Sequence, residues 1–269
     1  MADEVRVEID DRGVATVTLH RPEVRNALDP ATMTGLQDAF GDLATRPDLR
    51  VVVLTGTGDV FSAGADLAWM RAGVDKDRAD HEVDSARLAA TFRTIDEFPA
   101  PVVGRMNGHA IAGGTGLMCA CDIVVAVEGA KMGFTEVRLG IAPATISRIV
   151  LPKIGPAAAR RWFLTGELFE ADVARELGLV HEVVTRDDLD DAVAQVVDAL
   201  LAGAPDAQRR TKALIPRVMA GGDDVEAMTV ALIAELRVGD EGQEGMAAFF
   251  DRRPPAWSPR AEAARREHA

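Results

Sequence analysis

Asn107-Gly108-His109-Ala110-Ile111-Ala112-Gly113-Gly114-Thr115-Gly116 decides how this chain is read. It follows a strand-like run, Pro101-Val102-Val103, and precedes a short helical segment that ends at Cys121. A second stretch of the same kind, Phe61-Ser62-Ala63-Gly64-Ala65-Asp66, comes after the buried-strand run Arg50-Val51-Val52-Val53-Leu54. Small side chains in such turns let another molecule approach the main chain closely. A helix N-terminus also leaves unpaired N–H groups and a partial positive charge. Two such ends aimed at one spot would make an oxyanion hole. Read as tight strand-to-helix turns alone, they would carry no chemistry.

Outward from these turns the same order recurs. Val5, Val7 and Ile9 alternate with polar residues, and after Asp10-Asp11-Arg12-Gly13 the alternation resumes from Val14 to Leu19, which predicts a hairpin. Asp29-Pro30 offers an N-cap followed by proline at the first helical position, and Met33, Leu36, Phe40 and Leu43 then recur at helical spacing. A helix is predicted from about Arg78 to Phe98, with strands at Ile123–Val127 and Val180–Val184. Strand, glycine-rich turn and helix in repetition indicate α/β layering with helix-covered strands. From about Pro205 the strand pattern stops, and Asp206–Met219, Asp223–Val238 and Glu244–Phe250 read as helices. The chain thus divides into an α/β body, residues 1–204, and a helical part, residues 205–269.

The composition narrows the class of function. The 269 residues are 48% hydrophobic and 27% charged, enough to bury a large core. Net charge is −13, which disfavours nucleic acid and anionic membranes as partners. No apolar run approaches bilayer length, and the acidic N-terminus reads as no targeting peptide. Cys119 and Cys121 are too few for a disulfide framework, so a reducing, cytoplasmic setting is expected. As helical neighbours they would point to opposite faces and could not share a metal ion.

Several familiar chemistries are missing. There is no Gly-x-Gly-x-x-Gly after a strand, no Gly-Lys-Ser/Thr loop and no Gly-x-Ser-x-Gly elbow. His109 and His181 sit beside apolar runs and read as structural. Trp69, Met70 and Trp162 read as core, and Ala72–His81, charged and aperiodic, as a loop that could lie over a ligand's tail.

Taken together, the residues resemble the crotonase (enoyl-CoA hydratase/isomerase) superfamily. The resemblance rests on Arg21-Pro22-Glu23-Val24-Arg25-Asn26-Ala27-Leu28, the Ser-Ala-Gly-Ala-Asp-Leu stretch, Asn107-Gly108 with Gly113-Gly114, and Cys121-Asp122-Ile123. Glu136 with Leu139-Gly140, and the closing Glu244-Gly245-Met246-Ala247-Ala248-Phe249, complete the order over essentially the whole chain. It implies a spiral of ββα repeats and a helical C-terminal part that packs homotrimers, often paired into hexamers. It also implies an acyl-CoA thioester substrate, and no further cofactor. By the same resemblance, the amides of Ala63 and Gly113 would form the oxyanion hole. Val24, Arg25, Ala63, Gly64, Ala65, Asp66 and Leu67 would hold the adenine and pantetheine, with Gly113 and Gly116 beside the acyl group. Arg252 and Arg253 are similar in position to basic residues that reach CoA phosphates.

One position departs from the pattern. The best-known hydratases place two glutamates around the attacking water; Glu136 matches the second, and Gly116 stands where the first would be. Glycine there is expected to open room beside the substrate's β-carbon, enough for a β-branch. The runs around Gly116 and Leu139–Ser147 look like a hydratase subgroup that includes enzymes for branched acyl-CoAs, such as methylglutaconyl- and carboxygeranoyl-CoA. Hydration with Glu136 as sole carboxylate, a lyase reaction of fatty acid metabolism, is the first expectation. A Δ3,Δ2-enoyl-CoA isomerisation with Glu136 as proton shuttle is the second, and acyl-CoA binding without turnover the third. Thr115 or His109 could stand in for the missing carboxylate.

Overall fold

The computed structural model describes residues 4–258. The first three residues of the acidic N-terminus, and residues 259–269 of the expected helical part, lie outside it. β1 (Val5–Ile9) and β2 (Val14–Leu19) pair antiparallel as the alternation predicts, with Val7 opposite Val17. α1 (Pro30–Ala44) begins at Asp29, whose carboxylate accepts the Thr32 amide at 2.8 Å. Its stripe of Met33, Leu36, Phe40 and Leu43 is buried against the sheet.

Three turns of a spiral follow, each laying one strand in each of two sheets before a helix. β3 (Val51–Gly56) and β4 (Val60–Ser62) lead to α2 (Leu67–Ala72) and α3 (Arg78–Asp96). β5 (Val102–Met106) and β6 (His109–Ile111) lead to α4 (Gly113–Ala120). β7 (Ile123–Val127) and β8 (Lys131–Gly133) lead through a 3-10 turn at Glu136–Leu139 to α5 (Ala144–Thr165), which breaks direction at Gly155 (φ 70°). β9 (Leu168–Glu170), α6 (Ala171–Glu176), β10 (Glu182–Val184) and α7 (Leu189–Ala202) complete the body. α8 (Pro205–Ala220), α9 (Val225–Val238) and α10 (Asp240–Phe250) close the described chain.

The larger sheet runs β1-β2-β3-β5-β7-β10 and is parallel beyond the hairpin; the smaller runs β4-β6-β8-β9. Every residue of β3 is buried, as expected of a parallel strand covered on both faces. The smaller sheet went unread in the sequence because its strands are three residues each, too short for alternation to register. The expected loop at Ala72–His81 shrinks to residues 73–77. Ala72 belongs to α2, and Asp77 caps α3 by accepting the Asp80 amide. Lys76 and Asp84, 2.6 Å apart, close it.

The three C-terminal helices behave differently from the body. α8 and α9 bury no residue fully, and α10 buries only Ala248. Polar ties dock α8 instead: Lys212 Nζ lies 2.6 Å from Asp122, and Arg209 donates to the Leu49 carbonyl at 3.1 Å. The tail after α10 is non-helical, as its prolines require, and it folds back. Arg253 grips Glu244 through two nitrogens at 2.7 and 2.8 Å, which together with the Ala256 amide pulls the Glu244 carboxyl down to about 2. Arg253 is therefore engaged within the chain rather than free for a phosphate.

Candidate active site

The loop Arg21–Leu28 is the seat on which the first small-residue turn rests. Arg25 and Asn26 both take left-handed φ values (56° and 54°), which swing the chain sharply. Asn26, buried, repays this by accepting the Arg21 amide and donating to the carbonyls of Thr57 and Val60. Ser62 hydroxyl donates to the Asn26 carbonyl at 2.8 Å, and Leu28 exchanges bonds with Gly64 and Asp66 on either side of Ala65. The first turn is thus stitched to a loop far earlier in the chain.

That stitching corrects one expectation. The Ala63 amide donates to the Arg25 carbonyl at 3.0 Å and is not available to a ligand. The bonds that flank Ala65 engage Gly64 and Asp66 but leave the Ala65 amide without an acceptor among the described residues. The letters hold no cue to which amide of the run is spent, because the partner strand is set by the distant loop.

The second turn meets the first at Gly64. A Cβ on Gly64 would stand 2.6 Å from the Ile111 carbonyl and 3.3 Å from the Gly113 nitrogen, and its φ is 86°, so only glycine fits. The two turns predicted from sequence therefore converge. Gly113 opens α4, with Ala112 before it held at φ 47°, ψ −114°. At that first helical position the Gly113 N–H has no carbonyl four residues back to bond.

Glu136 arrives from the smaller sheet. The Gly133 carbonyl accepts the Ala112 amide at 2.8 Å and faces the Thr115 hydroxyl at 3.0 Å, so β8 is tied to the start of α4 just before the chain turns to Glu136. Glu136 Oε2 is buried and has no hydrogen-bond partner among the described residues. Burial raises the carboxyl above its ordinary value, with the residue's own amide opposing weakly. An unpartnered buried carboxylate oxygen is costly, and such groups concentrate at functional sites.

Gly116 is not a vacancy. A Cβ there would meet Ile146 Cγ2 at 2.5 Å and the Phe92 ring at 2.8 and 3.0 Å, and both side chains are 1% exposed. The space expected beside the β-carbon is filled by Phe92 from α3 and Ile146 from α5. The sequence could not show this, since the two residues belong to separate helices that meet only through packing. Both proposed substitutes for the missing carboxylate are tied to the main chain, His109 through one ring nitrogen only. Thr115 hydroxyl lies 2.6 Å from the Ala110 carbonyl, and His109 Nδ1 accepts the Lys131 amide.

The other expected residues sort by accessibility. Arg25 and Leu67 are exposed, Leu67 at 80%, and Val24 is exposed at 36%. Asp66 is buried with its carboxylate fully engaged: it caps α2 through the Ala68 and Trp69 amides and meets Arg21 at 3.0 Å. Its contribution is to hold the turn rather than a ligand. Trp69 and Trp162 pack against the core, and His181 Nδ1 accepts the Val124 amide, all as read.

A spiral of ββα turns that lays its strands in two sheets, with its two small-residue turns meeting at Gly64, defines a crotonase-type fold. The enoyl-CoA hydratase/isomerase family model matches residues 10–260, and the chain belongs to that family. A Thermus thermophilus protein that carries the enoyl-CoA hydratase name provisionally is 37% identical over 250 residues, 93% of this chain and 99% of its own. The crotonyl-CoA hydratase of Syntrophomonas wolfei is 32% identical over 79% of this chain and 82% of that one. Among solved structures, an enoyl-CoA hydratase from Shewanella pealeana superposes with a TM-score of 0.90 at 35% identity, covering 94% of this chain and 96% of its own.

Proposed function

We propose that the protein is an enoyl-CoA hydratase that adds water across the 2,3 double bond of an enoyl-CoA thioester, with Glu136 as its sole catalytic carboxylate. The observation that carries this reading is the buried Oε2 of Glu136, unpartnered among the described residues, on a segment tied to the turn that bears Gly113. The amides of Gly113 and Ala65 bind the thioester oxygen. Water addition at Cβ builds enolate charge on that oxygen, and each preorganised donor lowers the barrier by about 3 kcal/mol where such donors have been removed from other enzymes. Glu136, raised in pKa, accepts a proton from the attacking water and returns one to Cα. The exposed Arg25, which makes no ion pair among the described residues, suits a CoA phosphate.

One observation favours a second reading. Phe92 and Ile146 fill with apolar atoms the space at Gly116, where the family pattern would put a first glutamate, and a Δ3,Δ2-enoyl-CoA isomerase needs only one carboxylate, to move a proton between Cα and Cγ. Purified protein with crotonyl-CoA separates the two: a hydratase depletes the absorbance of the conjugated thioester, whereas an isomerase leaves it intact and generates it from a 3-enoyl-CoA. Neither signal, with CoA esters still bound, would support the non-catalytic reading.

The part from residue 205 onward serves assembly in this proposal. Ile215, Ile233, Phe249 and Phe250 are 56–80% exposed on α8, α9 and α10, more apolar surface than a helical layer leaves to water alone. A homotrimer or a dimer of trimers in the cytoplasm would cover it. Light scattering at micromolar concentration is expected to show at least a trimer; a monomer would remove this part of the reading.

A further inference from the structure

Ala112 is the most unusual backbone position beside the site. Its φ of 47° with ψ of −114° belongs to glycine's territory, and the side chain it carries makes the conformation unfavourable. Such a conformation persists only where the surroundings over-determine it. The peptide so held is the one that carries the Gly113 amide, so the angle at Ala112 sets where that N–H points.

The restraint is concentrated on one hydroxyl. Thr115 Oγ1 is fully buried, 2.6 Å from the Ala110 carbonyl and 3.0 Å from the Gly133 carbonyl, and it accepts the Gly133 amide at 3.3 Å. Ala110 is the middle residue of β6, and Gly133 ends β8. The same Gly133 carbonyl accepts the Ala112 amide at 2.8 Å, and the Ala112 carbonyl accepts the Gly116 amide at 3.0 Å. One side chain in the first turn of α4 therefore binds both strands that bracket Ala112, and one of those strands leads directly to Glu136.

We propose that Thr115 is a positioning residue: its hydroxyl clamps β6 and β8 around strained Ala112 and thereby keeps the Gly113 amide in register with Glu136. This rests on the reading of Gly113 and Glu136 as the groups that meet the substrate. Thr115 touches neither substrate nor water in this account and acts through the backbone alone. A valine at 115 keeps the shape and loses the clamp; a serine keeps the hydroxyl.

The test compares Thr115→Val with Thr115→Ser, assayed with crotonyl-CoA and by amide hydrogen exchange at Ala112, whose N–H closes the same junction. Thr115→Val is expected to lower kcat at least tenfold with KM within about twofold, and to speed Ala112 exchange at least tenfold. Thr115→Ser is expected to restore kcat to within about threefold of the parent and to return exchange to the parental rate. Equal kcat in Thr115→Val and parent, or equal impairment in Thr115→Ser and Thr115→Val, overturns the proposal while leaving the hydratase reading intact. A parent protein without hydratase activity sinks that reading instead, and the clamp is then decided by exchange: unchanged Ala112 exchange in Thr115→Val overturns it. Should valine crowd the site and prevent folding, Thr115→Ala removes the same hydroxyl with less bulk and is held to the same outcomes.

Discussion

Asp66 and Glu136 are two carboxylates drawn away from solvent, one after β4 and one after β8, and they are treated in opposite ways. Around Asp66, burial would raise the pKa, but the amides of Trp69 and Ala68 and the Arg21 guanidinium outweigh it and leave the carboxyl below its ordinary value. Around Glu136, burial is opposed only by the residue's own amide, one oxygen has no partner among the described residues, and the carboxyl sits above its ordinary value. The first region spends its polar groups on holding the chain; the second leaves one unspent. The difference separates a carboxylate that holds the turn from the one the proposed mechanism assigns to proton transfer.

The largest effect is expected from Glu136→Gln. The amide is close to isosteric but cannot take a proton, so turnover of crotonyl-CoA should fall by about a hundred- to ten-thousand-fold. Affinity for CoA esters, measured by calorimetry with a saturated acyl-CoA, should stay within about threefold. Retained turnover would place the reacting carboxylate elsewhere. The opposite region should answer in stability instead. Arg21→Met strips the cation from Asp66 and Asp29, which Arg21 meets at 3.0 and 3.2 Å. A buried carboxylate left uncompensated should cost about 3 kcal/mol in urea unfolding. A loss below 1 kcal/mol would show Asp66 to be held by its capping amides alone.

Gly116→Ala sharpens the contrast between a vacancy and a packed wall. Alanine is the better helix former by about 1 kcal/mol, whereas overpacking a buried site costs about 1–3 kcal/mol. With contacts at 2.5 and 2.8 Å to side chains that are themselves enclosed, the clash should win by about 1 kcal/mol in chemical denaturation. A stabilised variant would mean that Phe92 and Ile146 yield easily and that the pocket beside Gly116 can open.

How much of this was legible in the chain follows from the range of the interactions. The Asp29 cap, the hairpin and the two small-residue turns are local, and their letters show them. The convergence of the turns was legible only through the family resemblance, which also pointed to Glu136. What failed was long-range. The spent amide lies at Ala63 because Arg25 lies opposite, and the crowding at Gly116 comes from α3 and α5. Burial of Asp66 against Arg21 likewise depends on a loop that sequence spacing does not place.

The smallest expected effect is on the pH dependence of stability, where the two carboxylates should pull in opposite directions. Asp66 binds its proton less readily folded than unfolded, so its contribution is present above the ordinary aspartate value of 3.8 and is lost as pH falls through its lowered folded value. Glu136 binds its proton more readily folded than unfolded. Its protonated form is no liability below the ordinary glutamate value of 4.5, but stability declines as pH rises from there through the raised folded value, because ionising the buried group is penalised. Glutamine at 136 cannot ionise, so the variant should lose that decline and keep the acid-side loss due to Asp66. Urea midpoints collected from pH 4 to pH 8 should therefore separate steadily, with Glu136→Gln the more stable at the upper end. Parallel curves would mean that water or a neighbouring group compensates the Glu136 carboxylate in the free protein, and the contrast with Asp66 would collapse.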